Sequence, residues 1–125
     1  MGLTYDISTD AKHLDSIHLS MDYSMGSNSV NQSYVSGYGT YAMQHLHRRF
    51  WANDPPRNIH PQAGALSGEL NANPSDPVAL NANLMSLGQS KRYFDDIGSY
   101  STNEVTINWN APLVWVSAFL NENND

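Results

Sequence analysis

Cysteine is absent from this 125-residue chain, so it holds no disulfide framework and no thiolate site, and its composition says nothing of a redox compartment. Charge is scarce, with only 14% of residues charged. What charge there is leans acidic: Lys+Arg 6 against Asp+Glu 12, a formal net of -6, leaves no basic footprint to meet a phosphate backbone, so no nucleic-acid partner is expected. No apolar run approaches the ~20 residues that span a bilayer, and no membrane partner is expected. The start, Met1-Gly2-Leu3-Thr4-Tyr5-Asp6, has no basic region leading into an apolar stretch, and Asp6 stands where a myristoylation signal wants Ser or Thr; no targeting segment is expected. Gly37-Tyr38-Gly39 lacks the third glycine and the lysine of a phosphate loop, and a serine nucleophile elbow is missing. His45 and His47 would face opposite ways on a strand, His13 and His18 share no helical face, and no carboxylate falls at ligand spacing. Neither a metal nor a cofactor is expected.

What fills the chain instead is Asn, Ser, Gly, Tyr and Trp, neutral hydrogen-bonding groups and rings. That composition suits a neutral polyhydroxylated ligand, and equally a loop-rich protein in which Asn and Ser supply turns. The length is enough for one small domain, which buries only about two-thirds of the surface its unfolded chain exposes.

Ala11 to Met25 reads as a helix: Asp10 can cap it, Leu14, Ile17, Met21 and Met25 recur three and four apart, and Gly26 ends it. Ser27 to Gly39 is too rich in turn residues for a second long helix and reads as an ordered loop. Trp51 to Pro61, with Asp54-Pro55-Pro56 and His60-Pro61, reads as irregular. Asn71 to Pro77 reads as a surface loop, and Val78 to Leu87 as a helix through Leu80, Leu84 and Leu87 that Gly88 stops. In the last apolar segment, Val105, Ile107, Trp109, Ala111 and Leu113 alternate as a strand would. Against that, Ser101-Thr102-Asn103-Glu104 is a capping-box sequence, and the continuation to Leu120 is apolar on nearly every side. Local pattern leaves helix and strand open there, with Pro112 unfavourable to both.

Two groups of residues can carry chemistry. Gln44-His45-Leu46-His47-Arg48-Arg49-Phe50-Trp51 packs imidazoles, guanidiniums and rings together; it can hold a sugar, the rings stacking on pyranose faces, or be a basic patch paired with the chain's own carboxylates. The second runs Tyr93-Phe94-Asp95-Asp96, then Tyr100 to Glu104, then Thr106 and Asn110. Glu104 either caps backbone donors around Ser101, or sits among Tyr100, Val105 and Trp109 where loss of water raises its pKa toward that of a general acid.

The run Ser33-Tyr34-Val35-Ser36-Gly37-Tyr38-Gly39, leading to Leu46-His47-Arg48-Arg49, resembles the His-containing motif of glycoside hydrolase family nine, the inverting endoglucanases and cellobiohydrolases. Tyr93, Asp95, Tyr100, Glu104, Thr106, Asn110 and Ala111 resemble that family's second motif at every spaced position, and the likeness covers the chain from about Ala11. The pattern departs from the family at Tyr41, at His45-Leu46 where Asn-Pro is usual, and at Gly68-Glu69-Leu70-Asn71 where Gly-Gly-Pro-Asn is common.

The resemblance implies an all-α fold: residues 1–125 as the C-terminal portion of an (α/α)6 barrel catalytic domain, a few helices joined by long ordered loops. It implies Glu104 as general acid at the head of the last helix and Asp95 as a supporting active-site carboxylate. It also implies a β-glucan held by His47 and Arg49, with Tyr100 beside the acid and Tyr38 and Trp51 as further substrate contacts. Inversion needs a second carboxylate roughly 6.5 to 9.5 Å away to activate water; in the family it comes from an upstream Asp-Ala-Gly-Asp motif that this chain does not contain. The implied reading is therefore a β-1,4-glucan hydrolase segment, extracellular by resemblance, inactive alone, and expecting the remainder of the barrel upstream. Apolar surface is then expected around Trp109, Trp115 and Phe119. The rival reading is a non-catalytic carbohydrate-binding or structural remnant in which Glu104 only caps its helix and Trp51 and Trp109 pack or stack.

Overall fold

The computed structural model describes residues 2–52, 61–68 and 70–123. Its helices are α1 (Gly2–Ser8), α2 (Ala11–Ser24), α3 (Arg49–Ala52), α4 (Pro77–Asn81), α5 (Tyr100–Asn103) and α6 (Ile107–Glu122), and among the described residues there is no β-strand. The expected all-α architecture of few helices and long loops is what forms. No helix among the described residues is long and apolar enough to cross a membrane.

The helix expected from Ala11 forms, and Asp10 caps it from an extended conformation, its carboxylate accepting from the Lys12 amide at 3.1 Å. Gly26 ends the run at φ 123, a conformation that a side chain disfavours. Helix α1, which the periodicity does not announce, folds back on α2. Its Tyr5 meets Phe119 of α6 edge-on at 6.1 Å, and Phe119 stacks on Trp115 at 5.3 Å.

Two expectations are corrected, and a third falls mostly outside the described residues. The helix expected over Val78 to Leu87 stops after Asn81: Asn83 turns left-handed at φ 53, and Leu84–Ser86 continues only as a 3-10 turn. Asparagine accepts that conformation more readily than other residues with a Cβ, so the Asn81-Ala82-Asn83 sequence ends the helix before Gly88 can. The capping box at Ser101 does not start the long helix either. It makes the single turn α5, after which Glu104 is extended at φ -66, ψ 138, and α6 takes Thr106 as its N-cap. Long-range backbone pairing of Glu104 and Val105 overrides the local signal. The irregular stretch expected from Trp51 to Pro61 lies largely outside the described residues, and Trp51 itself ends up in helix α3.

Helix, not strand, takes the last apolar segment, and Pro112 lies inside it. Asn110 supports the first turn, its amide donating to the Thr106 carbonyl at 2.7 Å.

The main core is built by loops. Tyr34, Val35, Met43, Leu46, Trp51, Leu66 and Tyr93 form one buried cluster, with Tyr23 and Met25 from the end of α2 and Leu113 from α6 against its rim. Isolated backbone bridges run through it: Ser33 with Ala42, Val35 with Leu66, Ser67 with Val105, and Glu104 with His47. Together they set five chain segments side by side, and the pairing of Glu104 with His47 brings the two sequence motifs together. Away from this cluster the helices show apolar faces to solvent: Ile7 is 87%, Ile107 81% and Val114 70% exposed. Trp109 and Trp115 are partly exposed as expected, but Phe119 is not, being covered by Tyr5 and Trp115.

Candidate active site

His47 and Glu104 meet through their backbones. The His47 amide donates to the Asn103 carbonyl at 3.1 Å and the Val105 amide donates to the His47 carbonyl at 2.9 Å, so the residue between, Glu104, is held flat against the histidine segment. On its other side the Gly68 amide donates to the Glu104 carbonyl at 2.6 Å, and the Trp109 indole donates to the same oxygen at 3.3 Å.

The side chain of Glu104 is exposed and no hydrogen bond engages its carboxylate among the described residues. The capping role weighed for it is absent: the Ser101 amide donates to Asp76 at 3.1 Å, and Glu104 follows the end of α5 in an extended conformation. The water-poor surroundings weighed for it are also absent: Tyr100 and Trp109 flank an open cleft. That cleft, of about 530 Å³, runs from Glu104, Tyr100 and Trp109 to a polar wall of Asn71, Ser75 and Ser101.

The His47 imidazole is fixed by two contacts. Its Nδ1 lies 2.5 Å from the Ile97 carbonyl, which can only accept, so Nδ1 carries the proton and Nε2 is left for another group. Its ring stands 5.6 Å from that of Tyr100. His47, Tyr100 and Glu104 are thus brought together, as their sequence motifs implied.

Asp95 is held elsewhere. Its carboxylate accepts from the Gln44 and His45 amides, both at 2.8 Å, and from the Gln32 side chain at 3.3 Å, with the His45 ring 3.8 Å away. These bonds pin the loop entering His47, and among the described residues no hydrogen bond joins Asp95 to Glu104. Arg49 opens α3 and is exposed, with no bond tying it to the site among the described residues. Tyr38 lines a separate apolar groove with Met21, Met25 and Leu113. Trp51 is corrected: only 7% exposed, it packs in the loop core and spends its indole N–H on the Leu46 carbonyl, so its ring has no face for a sugar. Arg48 lies over that ring at 5.5 Å.

Two buried groups make bonds that local pattern does not announce. Asn103, fully buried, donates to the carbonyls of His45 (3.2 Å), Phe94 (3.1 Å) and Asp96 (2.7 Å), tying both motifs together just before Glu104. Asp76, also fully buried, accepts from the Ala79 amide at 2.7 Å, the Ser101 amide at 3.1 Å, the Ser101 hydroxyl, and the Ser99 hydroxyl at 3.4 Å. The Asp76-Pro77 pair does announce a helix start, but nothing in it announces the reach to Ser101. Among the described residues no three His, Asp or Glu side chains gather as a metal site would require.

Residues 1–117 match the sequence profile of glycosyl hydrolase family 9. The chain belongs to that family. The match reaches further toward the N-terminus than the likeness from Ala11 implied, taking in α1. Among its relatives, a cellulose 1,4-beta-cellobiosidase of Acetivibrio thermocellus is 40% identical over 123 residues, covering 98% of this chain and 14% of the relative. Endoglucanase C of Cellulomonas fimi is 35% identical over 123 residues, 96% of this chain and 11% of that protein. The chain thus spans a small part of the length of these relatives. Among solved structures, AaCel9A in complex with cellobiose-like isofagomine superposes with a TM-score of 0.70 at 38% identity, covering 80% of this chain and 18% of that one. Family 9 endoglucanase J30 superposes with a TM-score of 0.79 at 26% identity, over 94% and 22%. The fold is that of part of a family 9 (α/α)6 barrel.

Proposed function

We propose that this chain is the C-terminal portion of a family 9 catalytic domain, 1–125 forming one piece of it, and that it supplies the general acid and part of the cleft for inverting hydrolysis of β-1,4-glucosidic bonds in cellulose or a related β-glucan. The observation that carries the reading is the backbone pairing of His47 with Glu104, which sets the two family motifs side by side, with Glu104, Tyr100 and Trp109 of the second lining an open cleft. Glu104 donates the proton to the leaving oxygen, its carboxylate being engaged by nothing else among the described residues. Tyr100 and Trp109 offer rings to sugar faces, His47 offers Nε2 to a hydroxyl, and Arg49 stands exposed nearby in sequence. Asp95 supports the acid indirectly, through the loop that ends at His47.

A general acid must hold its proton at working pH, and burial in a water-poor site is the usual cause. Here Glu104 is open to solvent, so the covering has to come from the sugar and from the rest of the barrel. The base is expected there too: Asp95 is occupied by the Gln44 and His45 amides and makes no substitute for it. A polymer such as cellulose cannot enter a cell, which makes the site of action extracellular. Against the rival remnant, in which Glu104 merely caps a helix, stands the Ser101 amide's bond to Asp76 instead.

Reducing-sugar release from a soluble β-glucan tests this. The chain alone is expected to release none. Joined in frame to the preceding part of the Acetivibrio cellobiosidase domain it is expected to be active, and Glu104→Gln to abolish that activity. Turnover by the isolated chain would overturn the need for a second carboxylate from outside, and an active joined enzyme indifferent to Glu104→Gln would overturn the acid.

A further inference from the structure

Of the buried ionisable side chains, Asp76 has no part in the reading above, yet its partners converge on the residues that frame Glu104. Ser99 and Ser101, on either side of Tyr100, both donate to its carboxylate, Ser101 twice over through amide and hydroxyl. The Ser101 hydroxyl accepts in turn from the Ser75 amide at 3.0 Å, and the Asn71 side chain donates to the Ser101 carbonyl at 2.6 Å. Ser99 closes the turn through Thr102, hydroxyl to hydroxyl at 2.8 Å. One carboxylate therefore joins three things: the start of α4 through Ala79, the cleft wall from Asn71 to Ser75, and the turn α5 that bears Tyr100 and runs straight into Glu104.

A cap on a five-residue helix needs one acceptor. Asp76 accepts from four donors, three of them from the Ser99–Ser101 turn, and is fully buried in doing so. Burying an ionised carboxylate is costly unless its oxygens are fully engaged. The arrangement goes well beyond what α4 requires and is directed at α5. We propose that Asp76 is a positioning residue for the acid: acting through Ser101, it fixes the height and direction at which Tyr100 and Glu104 meet the cleft. The proposal rests on Glu104 being the acid.

Two measurements test it. In the 125-residue chain, Asp76→Asn keeps the shape of the side chain and removes its charge. It is expected to speed hydrogen exchange at the amides bracketing Glu104 (His47, Gly68, Val105) by about tenfold, with the amides of α2 held within about twofold. A uniform rise, as general destabilisation gives, or no rise at the bracketing amides would overturn it.

In the joined enzyme described above, a cellooligosaccharide, whose leaving sugar must be protonated, is compared with a dinitrophenyl cellobioside, whose leaving group departs without a proton. Glu104→Gln is expected to lose the first activity and keep most of the second. Asp76→Asn and Ser101→Ala are expected to follow it in part, kcat falling by about tenfold on the oligosaccharide alone and KM hardly changing. If Glu104→Gln is selective while both other variants slow the two substrates equally, Asp76 is merely structural and the proposal fails alone. If Glu104→Gln slows both equally, the acid assignment falls and takes the proposal with it.

Discussion

At Asp76 two opposing effects act on one carboxylate. Burial raises its pKa, and the hydrogen bonds from Ser101, Ala79 and Ser99 outweigh burial, so the group sits below the usual carboxylate range. A folded-state pKa below the unfolded one means that the folded chain binds fewer protons in that window, so the stabilisation is present above the unfolded value and lost as the pH falls. Urea midpoints are therefore expected to be insensitive to this group from pH 7 to 5 and to drop below about pH 4. Asp76→Asn should flatten that acid limb while lowering stability at pH 7 by about 1–3 kcal/mol, since donors placed for a carboxylate would face an amide. A pH series of urea melts on both proteins checks it. Tyr93 shows the same contest with the other outcome: burial pushes its phenol up, and the group stays a neutral core residue.

Among the elements, those set by local rules were legible in the sequence and those set by distant partners were not. Asp10, the stripe through Ile17 and the glycine at position 26 define α2 without help from the rest of the chain. Gly26→Ala is expected to cost about 1–2 kcal/mol because an alanine at φ 123 is strained, whereas Gly88→Ala, at φ -58 with open space around it, should be near neutral; thermal melts of the pair distinguish them. Glu104 shows the opposite case. Its neighbourhood reads as a helix start, and the pull of His47 and Gly68 on its backbone draws it out into an extended bridge. Both motifs could be recognised in the sequence, and with them His47, Tyr100 and Glu104; Asp76 and Asn103 could not, because their roles lie in bonds to residues far along the chain. Trp51 misled for a related reason, since an aromatic beside basic residues suits a sugar platform and a core equally until its burial is known.

For the molecule as a whole, the balance of surfaces is unusual for a free-standing domain. Helix α6 is apolar on nearly every side, yet only Phe119 on it is buried, and α1 turns Leu3 and Ile7 outward. Helices apolar all round are normally enclosed, and contiguous exposed apolar area marks a contact surface. The isolated chain is expected to bind a hydrophobic dye and to self-associate. Replacing Ile7 and Val114 by lysine should reduce both without lowering the urea midpoint, since neither side chain joins the loop core. Dye fluorescence and sedimentation measure the first, denaturation the second.

The bridges that set His47 beside Glu104 are made of peptide groups, whose geometry is the same whatever side chains they carry. The segments strung between these anchors can therefore lengthen, shorten or change character while the aim of the reacting group holds. New sequence is therefore best grafted into the interval from Pro77 to Lys91, beyond the bonds that Asn71, Ser75 and Asp76 make to Ser101.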